Sequence, residues 1–207
     1  MTAEEKFRLI LKRYLPEKSI EYVFYILKEK EVHLIITKER NTKLGDYRNP
    51  FKEKGHRITV NGDINKFEFL FIFLHEMAHM NTWILYKNRV MPHGQEWKEE
   101  FVKILREAVN LKFFPEDVEN AIIKGFLSKK GFTAKSDDVV KKLLRNYSEK
   151  KSTTVEDVPE NAIFVLKNGR QFKKLEKIKK RYRCQDVVTG RFYVVHPLAE
   201  VVEVHEG

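Results

Sequence analysis

The chain has 207 residues, with 40 Lys and Arg against 30 Asp and Glu, a net charge of +10 and a hydrophobic share of 42%. That length and apolar content suffice for a packed core and exclude a wholly disordered chain. The single cysteine, Cys184, excludes a disulfide framework and a four-cysteine zinc ribbon. The positive balance points to an acidic partner, nucleic acid first, without saying where it binds.

The N-terminus, MTAEEKFRLILKRYL, is charged from Glu4 onward and has no apolar run of signal-peptide length. The most apolar stretch, Phe67 to Leu74, is interrupted by Glu68 and falls far short of the roughly 20 residues that span a bilayer. A cytoplasmic protein with no membrane partner is the expectation. Thr2 and Glu5 read as a capping box, and Phe7, Ile10, Leu11 and Tyr14 follow at helical spacing, which predicts a helix over 3–14. Pro16 ends it and opens a second helix that buries Ile20, Val23, Phe24 and Leu27. Val32 to Thr37 reads as a strand, 38–55 as a long loop or hairpin connection, and Arg57 to Asn61 as a second strand. A strongly apolar helix runs from about Lys66 to Tyr86. Pro92 and Gly94 break the chain, and an amphipathic helix over Glu96 to Asn110 buries Trp97, Phe101, Ile104, Leu105 and Ala108.

Pro115 starts a further helix through Lys129, and Ser136 reads as the cap of another, with Asp137 and Asp138 at its positive end. Residues 148–159 have the polarity of a linker. Beyond them 162–166, 181–188 and 191–195 read as strands, with Thr189-Gly190 as a hairpin turn and Val201 to Val204 as a further candidate. The predicted organisation is an α+β domain over 1–150 and a small β-rich module over 151–207, a small barrel or a sheet.

The chemistry concentrates in His75-Glu76-Met77-Ala78-His79. On a helix, residues four apart lie one turn above each other, so His75 and His79 present two imidazoles to one ion, and zinc accepts such ligands. Glu76 sits beside them, placed to take a proton from water that a bound metal polarises. Chance alone predicts on the order of 0.03 such spacings in a chain of this composition, so coincidence is a weak explanation. His93, at the Pro92-His93-Gly94 turn, completes a three-ligand site with an open position. Glu96, Glu99 and Glu100 are the competing third ligands, and a helix with two core histidines is the bland alternative.

The run HEMAHMNTWILYKNRVMPHGQEWKEEF, with His75, Glu76, His79, His93, Gly94 and Trp97, resembles the SprT-like zinc metallopeptidases, the family of bacterial SprT and eukaryotic Spartan. Leu44 to Arg48 and His56 to Val60 resemble the segment that precedes that family's metal helix. The likeness covers roughly 5–110 and extends weakly into Tyr182-Arg183-Cys184 and Ala199-Glu200-Val201. It implies a zincin-like, minimal metallopeptidase domain: helices packed on a small sheet, one Zn2+ on His75, His79 and His93, and Glu76 as general base. It implies a protein substrate, cleaved at peptide bonds. Spartan-type members cleave proteins crosslinked to DNA, which makes DNA a second candidate partner. The chain departs from relatives that carry a cysteine-rich zinc element, since it keeps only Cys184.

In zincins an edge strand beside the metal helix pairs with extended substrate, and Arg57, Ile58, Thr59 and Val60 are the candidates; an ordinary central strand fits the same residues. His56 reads as a lone surface histidine or as an aid to the oxyanion, and Trp97 as core rather than substrate-binding. Cys184, alternating with Arg181 and Arg183, reads as a small buried hydrophobe. The charge peaks between Lys167 and Arg191, with Lys173, Lys174, Lys177, Lys179, Lys180, Arg181 and Arg183 as candidate nucleic-acid contacts among interleaved aromatics. A solvated basic face with core aromatics reads equally well. Two functions therefore compete: a monomeric zinc metallopeptidase, and a nucleic-acid-binding protein whose zinc site is structural or inactive.

Overall fold

Thr2 opens the first helix, α1 (Ala3–Tyr14), by the expected reciprocal cap: its hydroxyl accepts from the Glu5 amide at 3.2 Å, and the Glu5 carboxylate accepts from the Thr2 amide at 2.7 Å. The computed structural model describes the chain apart from residues 39, 41–42, 129–131, 133, 149–152 and 206–207, and for 134 and 135 the backbone alone. It separates into two units, Met1–Glu149 and Lys150–Gly207. Each has helices or strands around a core of its own, and the class is α+β.

In the first unit a short 3-10 turn leads into α2 (Ile20–Glu29), which buries Ile20, Val23, Phe24 and Leu27 as its spacing predicts. Three strands follow: β1 (His33–Thr37), β2 (Gly45–Arg48) and β3 (Arg57–Asn61). Their order is β1-β3-β2, with β1 parallel and β2 antiparallel to β3. The polar segment after β1 thus contains a strand, β2, rather than loop alone; residues 39 and 41–42 of that segment lie outside the described residues.

The central element is α3 (Lys66–Tyr86). The Asn65 side-chain oxygen caps it, accepting from the amides of Phe67 and Glu68 at 3.1 and 3.0 Å. Glu68 to Leu74 are all buried, the mark of a helix enclosed on every side rather than laid on a surface. α4 (Gln95–Asn110) packs on it through Phe71 and Phe101, whose rings meet edge to face at 5.7 Å. α5 (Glu116–Ile122) runs into a π-helical turn over Ile123–Leu127, so the expected helix is regular over only its first half. α6 (Ala134–Arg145) begins two residues before Ser136, which is therefore inside the first turn and not the cap. The reason is packing: Ser136 lies against Gly125, where an added Cβ would stand 2.8 Å from its own. Among the described residues no helix is long and apolar enough to cross a membrane.

The second unit is one antiparallel sheet of β4 (Ile163–Leu166), β5 (Gln171–Ile178), β6 (Arg181–Asp186), β7 (Phe192–Val195) and β8 (Val201–His205), in the order β7-β6-β5-β4-β8. Phe164, Phe172, Cys184 and Val201 form its core together with Val155 and Val158. Those two valines fall in the stretch expected to be a linker. Their burial, and the Val155 amide on the Ala199 carbonyl at 3.0 Å, make 153–159 part of the unit; 149–152 lie outside the described residues. The hairpin at Thr189-Gly190 is held by Asp186, whose carboxylate accepts from the Thr189 amide at 2.8 Å and from the Arg170 guanidinium at 2.6 Å.

Candidate metal centre

Helical spacing brings His75 and His79 together on α3, with ring centroids 5.1 Å apart. His93 reaches them from the turn between α3 and α4. It adopts φ +57°, the left-handed region that costs a non-glycine residue about 1 kcal/mol or more. Gly94 permits the turn, since a Cβ there would meet the Met91 carbonyl at 2.9 Å. The result is that His93 Nε2 stands 3.1 Å from His75 Nε2 and 3.0 Å from His79 Nε2. Trp97, fully buried, lies under all three imidazoles, with centroids at 4.7, 5.2 and 4.6 Å, and stacks on Phe101 behind. It is core, as expected, and also the floor of the site.

The donor set suits a metal. A nitrogen of a neutral imidazole either donates or accepts, so His93 Nε2 cannot do both toward its two neighbours. Three lone pairs directed at one cation resolve the conflict, and zinc–nitrogen bonds of about 2.0–2.1 Å at tetrahedral angles need nitrogens about 3.3 Å apart. The imidazoles are kept unprotonated for the purpose. Burial, then the neighbouring histidines, push His75 down to about 2; burial and His93 push His79 down to about 4; burial also lowers His93. His75, His79 and His93 are the group of His, Cys, Asp or Glu side chains among the described residues arranged to hold an ion. Glu96, Glu99 and Glu100 stand apart from it: Glu99 accepts from Gln95 at 3.0 Å, Glu100 pairs with Lys103 at 2.5 Å, and Glu96 lies beside Gly94.

Glu76 is buried, with its carboxyl against Gly45 of β2. Burial and the nearby Asp46 charge raise its carboxyl to about 7, against the opposing hydrogen bond it accepts from the Tyr47 amide. Burial also pushes the Asp46 carboxyl up, but contacts from Arg40, Lys43 and Arg48 outweigh this and hold it below the usual range, so it stays charged. β2 comes this close because residue 45 is glycine. A Cβ there would stand 2.6 Å from Ile72 Cγ2 and 2.9 Å from Glu76 Oε1.

The expected substrate strand needs correction. Arg57, Ile58, Thr59 and Val60 belong to β3, the middle strand, whose backbone is paired on one side with β1 and on the other with β2. It has no edge to offer. The sheet edge beside Glu76 is β2. Its signal in the sequence was slight, a glycine in a polar stretch, and neither Gly45 nor Tyr47 is an obvious site residue from composition.

His56 is not a lone surface residue either. It is half-buried, with Nδ1 2.8 Å from the Tyr47 hydroxyl and its ring edge-on to Trp83 at 5.4 Å. A cleft of about 310 Å³ opens beside the three histidines, with His79 and Trp97 on one side and Tyr47, Trp83, Lys87 and Met91 around it.

In the second unit the basic candidates divide. Lys174 is buried and donates to the carbonyls of Glu156 and Val158, with Tyr182 beneath its ammonium at 4.1 Å; it is an internal strut and leaves the nucleic-acid set. Lys173 and Arg183 are half-buried, and Arg183 pairs with Glu176 at 3.2 Å. Lys177, Lys179, Lys180 and Arg181 are exposed around the β5–β6 turn. Phe172 is core, whereas Phe192 is exposed beneath the Arg183 guanidinium at 4.1 Å. Cys184 is buried as expected, and burial raises its thiol to about 11.

Two histidines one helical turn apart and a third from the next turn form a group that could hold one metal ion, with a buried carboxyl on the same helix. The model of the SprT-like family matches residues 4–116, more than half of the chain, and the chain belongs to that family. Its first unit is accordingly a metallopeptidase-like domain. No curated protein and no solved structure matches the chain.

Proposed function

We propose that the chain is a zinc-dependent, zincin-like peptidase that hydrolyses peptide bonds, with His75, His79 and His93 as the ligands of one Zn2+ and Glu76 as general base. The observation that carries this is the convergence of three imidazole Nε2 atoms, two of them on partly buried rings of α3, next to the buried Glu76 carboxyl of the same helix. Zinc, when bound, supplies Lewis-acid polarisation of water and of the scissile carbonyl. The protein supplies the rest. Glu76 takes the proton of the attacking water and returns it to the leaving amine, and a carboxyl raised toward neutrality suits both transfers. The Tyr47 amide fixes its orientation. An extended substrate adds to the open edge of β2 by backbone hydrogen bonds, which bind with little regard to side chain. The cleft beside His79 takes one side chain of that substrate.

DNA-bound or DNA-crosslinked proteins are the proposed substrate class, with the exposed lysines of the β5–β6 turn as the DNA contact. Glu76→Gln tests the mechanism. The variant retains zinc, since no ligand changes, and loses at least 10²-fold in cleavage of a DNA-binding protein, assayed with and without DNA. Cleavage by the variant at the wild-type rate overturns Glu76 as the base. A zinc-loaded variant that binds DNA equally well, alongside a wild type that cleaves nothing, favours the nucleic-acid-binding reading instead.

A further inference from the structure

Peptide hydrolysis places negative charge on the attacked carbonyl oxygen, and a preorganised donor facing that oxygen is worth a large part of the barrier. The cleft beside His79 offers few donors. The indole N–H groups of Trp83 and Trp97 are buried, although both rings line the cleft. The Thr82 hydroxyl is spent on the Ala78 carbonyl at 2.8 Å, and the Asn49 amide lies on the carbonyl of Pro50 at 3.3 Å. The Lys87 ammonium rests over the Trp83 ring at 3.9 Å, at the end of a flexible stem. The Asn88 amide belongs to an exposed residue of the turn after α3. Tyr47 differs from all of these. It lines the cleft, it stands on a strand pressed against α3, and its own amide holds the general base.

Resting on the peptidase reading, we propose that the Tyr47 hydroxyl is the catalytic donor to the oxyanion and that His56, behind it, is the positioning residue that frees the hydroxyl hydrogen for this task. His56 does not line the cleft; it meets Tyr47 from the side, with Nδ1 2.8 Å from the phenol oxygen, and Trp83 braces its ring. With the imidazole hydrogen on Nδ1, His56 donates to the Tyr47 oxygen, and the Tyr47 O–H points away, into the cleft. As charge develops, the O–H shortens its contact to the oxyanion and the imidazole shortens its contact to the phenol. No bond forms or breaks in the pair, so it returns to its starting state when the amine leaves. Burial favours this arrangement in both members: it lowers His56, together with Lys87 and Lys30, so the ring is neutral, and it raises the Tyr47 phenol, so the hydroxyl keeps its hydrogen.

The test uses the zinc-loaded full chain and the variants Tyr47→Phe, His56→Phe and His56→Asn. Two readouts run side by side: kcat and KM on an unstructured protein substrate, and the calorimetric affinity of a phosphinic peptide, whose tetrahedral anion imitates the charged oxygen. Tyr47→Phe keeps the amide that holds Glu76. It is expected to lower kcat by about 10²–10³-fold with little change in KM, and to weaken the phosphinic peptide at least tenfold, while zinc content and melting temperature hold. His56→Phe is expected to follow it. His56→Asn, whose side-chain N–H replaces Nδ1–H, is expected to recover most of the loss. Wild-type kcat and phosphinic affinity in Tyr47→Phe overturn the donor; His56→Asn no better than His56→Phe overturns the relay. The two levels separate cleanly. A wild-type chain that binds the phosphinic peptide through Tyr47 but cleaves nothing sinks the peptidase reading and keeps the donor, and full activity in Tyr47→Phe does the reverse.

Discussion

Gly45→Ala is the smallest change that addresses how Glu76, the proposed base, is held. Gly45 has no unusual backbone conformation to defend, so the whole effect of the substitution is steric. The new methyl would stand 2.6 Å from Ile72 Cγ2, 2.9 Å from Glu76 Oε1 and 3.0 Å from Glu76 Cγ, against a comfortable carbon separation of about 3.5–4.0 Å. Relief requires a shift of roughly 1 Å. Ile72 is β-branched and enclosed by the core, so it yields little. Either β2 moves off the helix, or the Glu76 carboxylate swings aside and gives up the Tyr47 amide. Overpacking of this size costs about 1–3 kcal/mol, and a 1 Å displacement of a catalytic group costs about 10²-fold in rate. The expected outcome is a variant whose first unit melts lower by about 2–4 °C per kcal/mol lost, which binds zinc normally and which has lost about 10²-fold in kcat. Adding Ile72→Ala makes room for the methyl, so that second substitution costs less stability in the Gly45→Ala background than in the wild type. Calorimetric melts, zinc content and turnover on a protein substrate give all four corners of the cycle. A Gly45→Ala protein with wild-type melting and wild-type kcat would refute the argument that this strand presses on Glu76.

The basic turn and the buried lysine of the second unit separate in a single experiment. Replacing Lys177, Lys179, Lys180 and Arg181 with Ser is expected to weaken binding to double-stranded DNA and to flatten its salt dependence by up to about 3–4 in log–log slope, whereas Lys174→Met leaves the slope alone and destabilises the fold by about 1–3 kcal/mol, because the buried Val158 carbonyl and the part-buried Glu156 carbonyl lose their donor. An unchanged slope in the four-residue variant removes the turn from DNA binding. Metal removal carries a pH signature of definite sign. In the metal-free fold His75 and His79 sit at about 2 and about 4, below the unfolded value of about 6.5, so the unfolded chain binds more protons and stability is lost as pH falls below about 6.5. Glu76 acts the other way: raised from 4.5 to about 7, its contribution is present at low pH and lost as pH rises through about 7. Between about 4.5 and 6.5 the two imidazoles outweigh the one carboxyl by about 1.4 kcal/mol per pH unit. Urea melts of chelator-treated protein are expected to show lower stability at pH 5 than at pH 7, and equal or greater stability at pH 5 would contradict the burial of these rings.

What could be read from the sequence was what depends on local spacing. The Thr2–Glu5 cap, the bounds of α1 and α3, and the buried face of α4 follow from contacts three and four residues apart, which any helix must make. So does the pairing of His75 with His79. His93 lies 14 residues beyond His79, and only its place beside a Pro-Gly turn and the family likeness recommended it over Glu96, Glu99 or Glu100. Contacts made by packing alone left no such mark. Gly45 touches Glu76, and Tyr47 touches His56, across sequence gaps that no periodicity spans. β2 is hidden by its polar composition. β5 is hidden because its apolar residues Phe172, Leu175 and Ile178 fall three apart in the sequence, without the two-residue alternation of a strand, and its register shifts between Lys174 and Lys177. Ordinary alternation with Phe172 puts Lys174 on the inward face of the same strand, against the rule that lysines face water. The order β1-β3-β2, which decides whether Arg57 to Val60 can meet a substrate, is a matter of pairing that strand propensity does not encode.

The charge of +10 overstates what the second unit has to offer a polyanion. Of the ten basic residues between Lys167 and Arg191, Lys174 is inside the fold, Lys167 pairs with Glu200, Arg170 with Asp186 and Arg183 with Glu176. What remains exposed and close together is the turn from Lys177 to Arg181, of which Lys177 stands 4.0 Å from the Glu156 carboxylate. Four cations at one turn neutralise about four phosphates, too few for tight binding at physiological salt, and nothing in a lysine-rich turn reads base edges. On the proposed reading this is a useful limit. A peptidase whose β2 edge accepts almost any extended chain needs restraint from elsewhere, and a weak, sequence-blind, salt-sensitive hold on DNA raises the local concentration of the site only near proteins already fixed there. Cleavage of a free protein and of the same protein bound to DNA should therefore differ mainly in KM, by a factor that shrinks as salt rises, and the Lys177 to Arg181 substitutions should bring the two toward the same value while leaving kcat untouched.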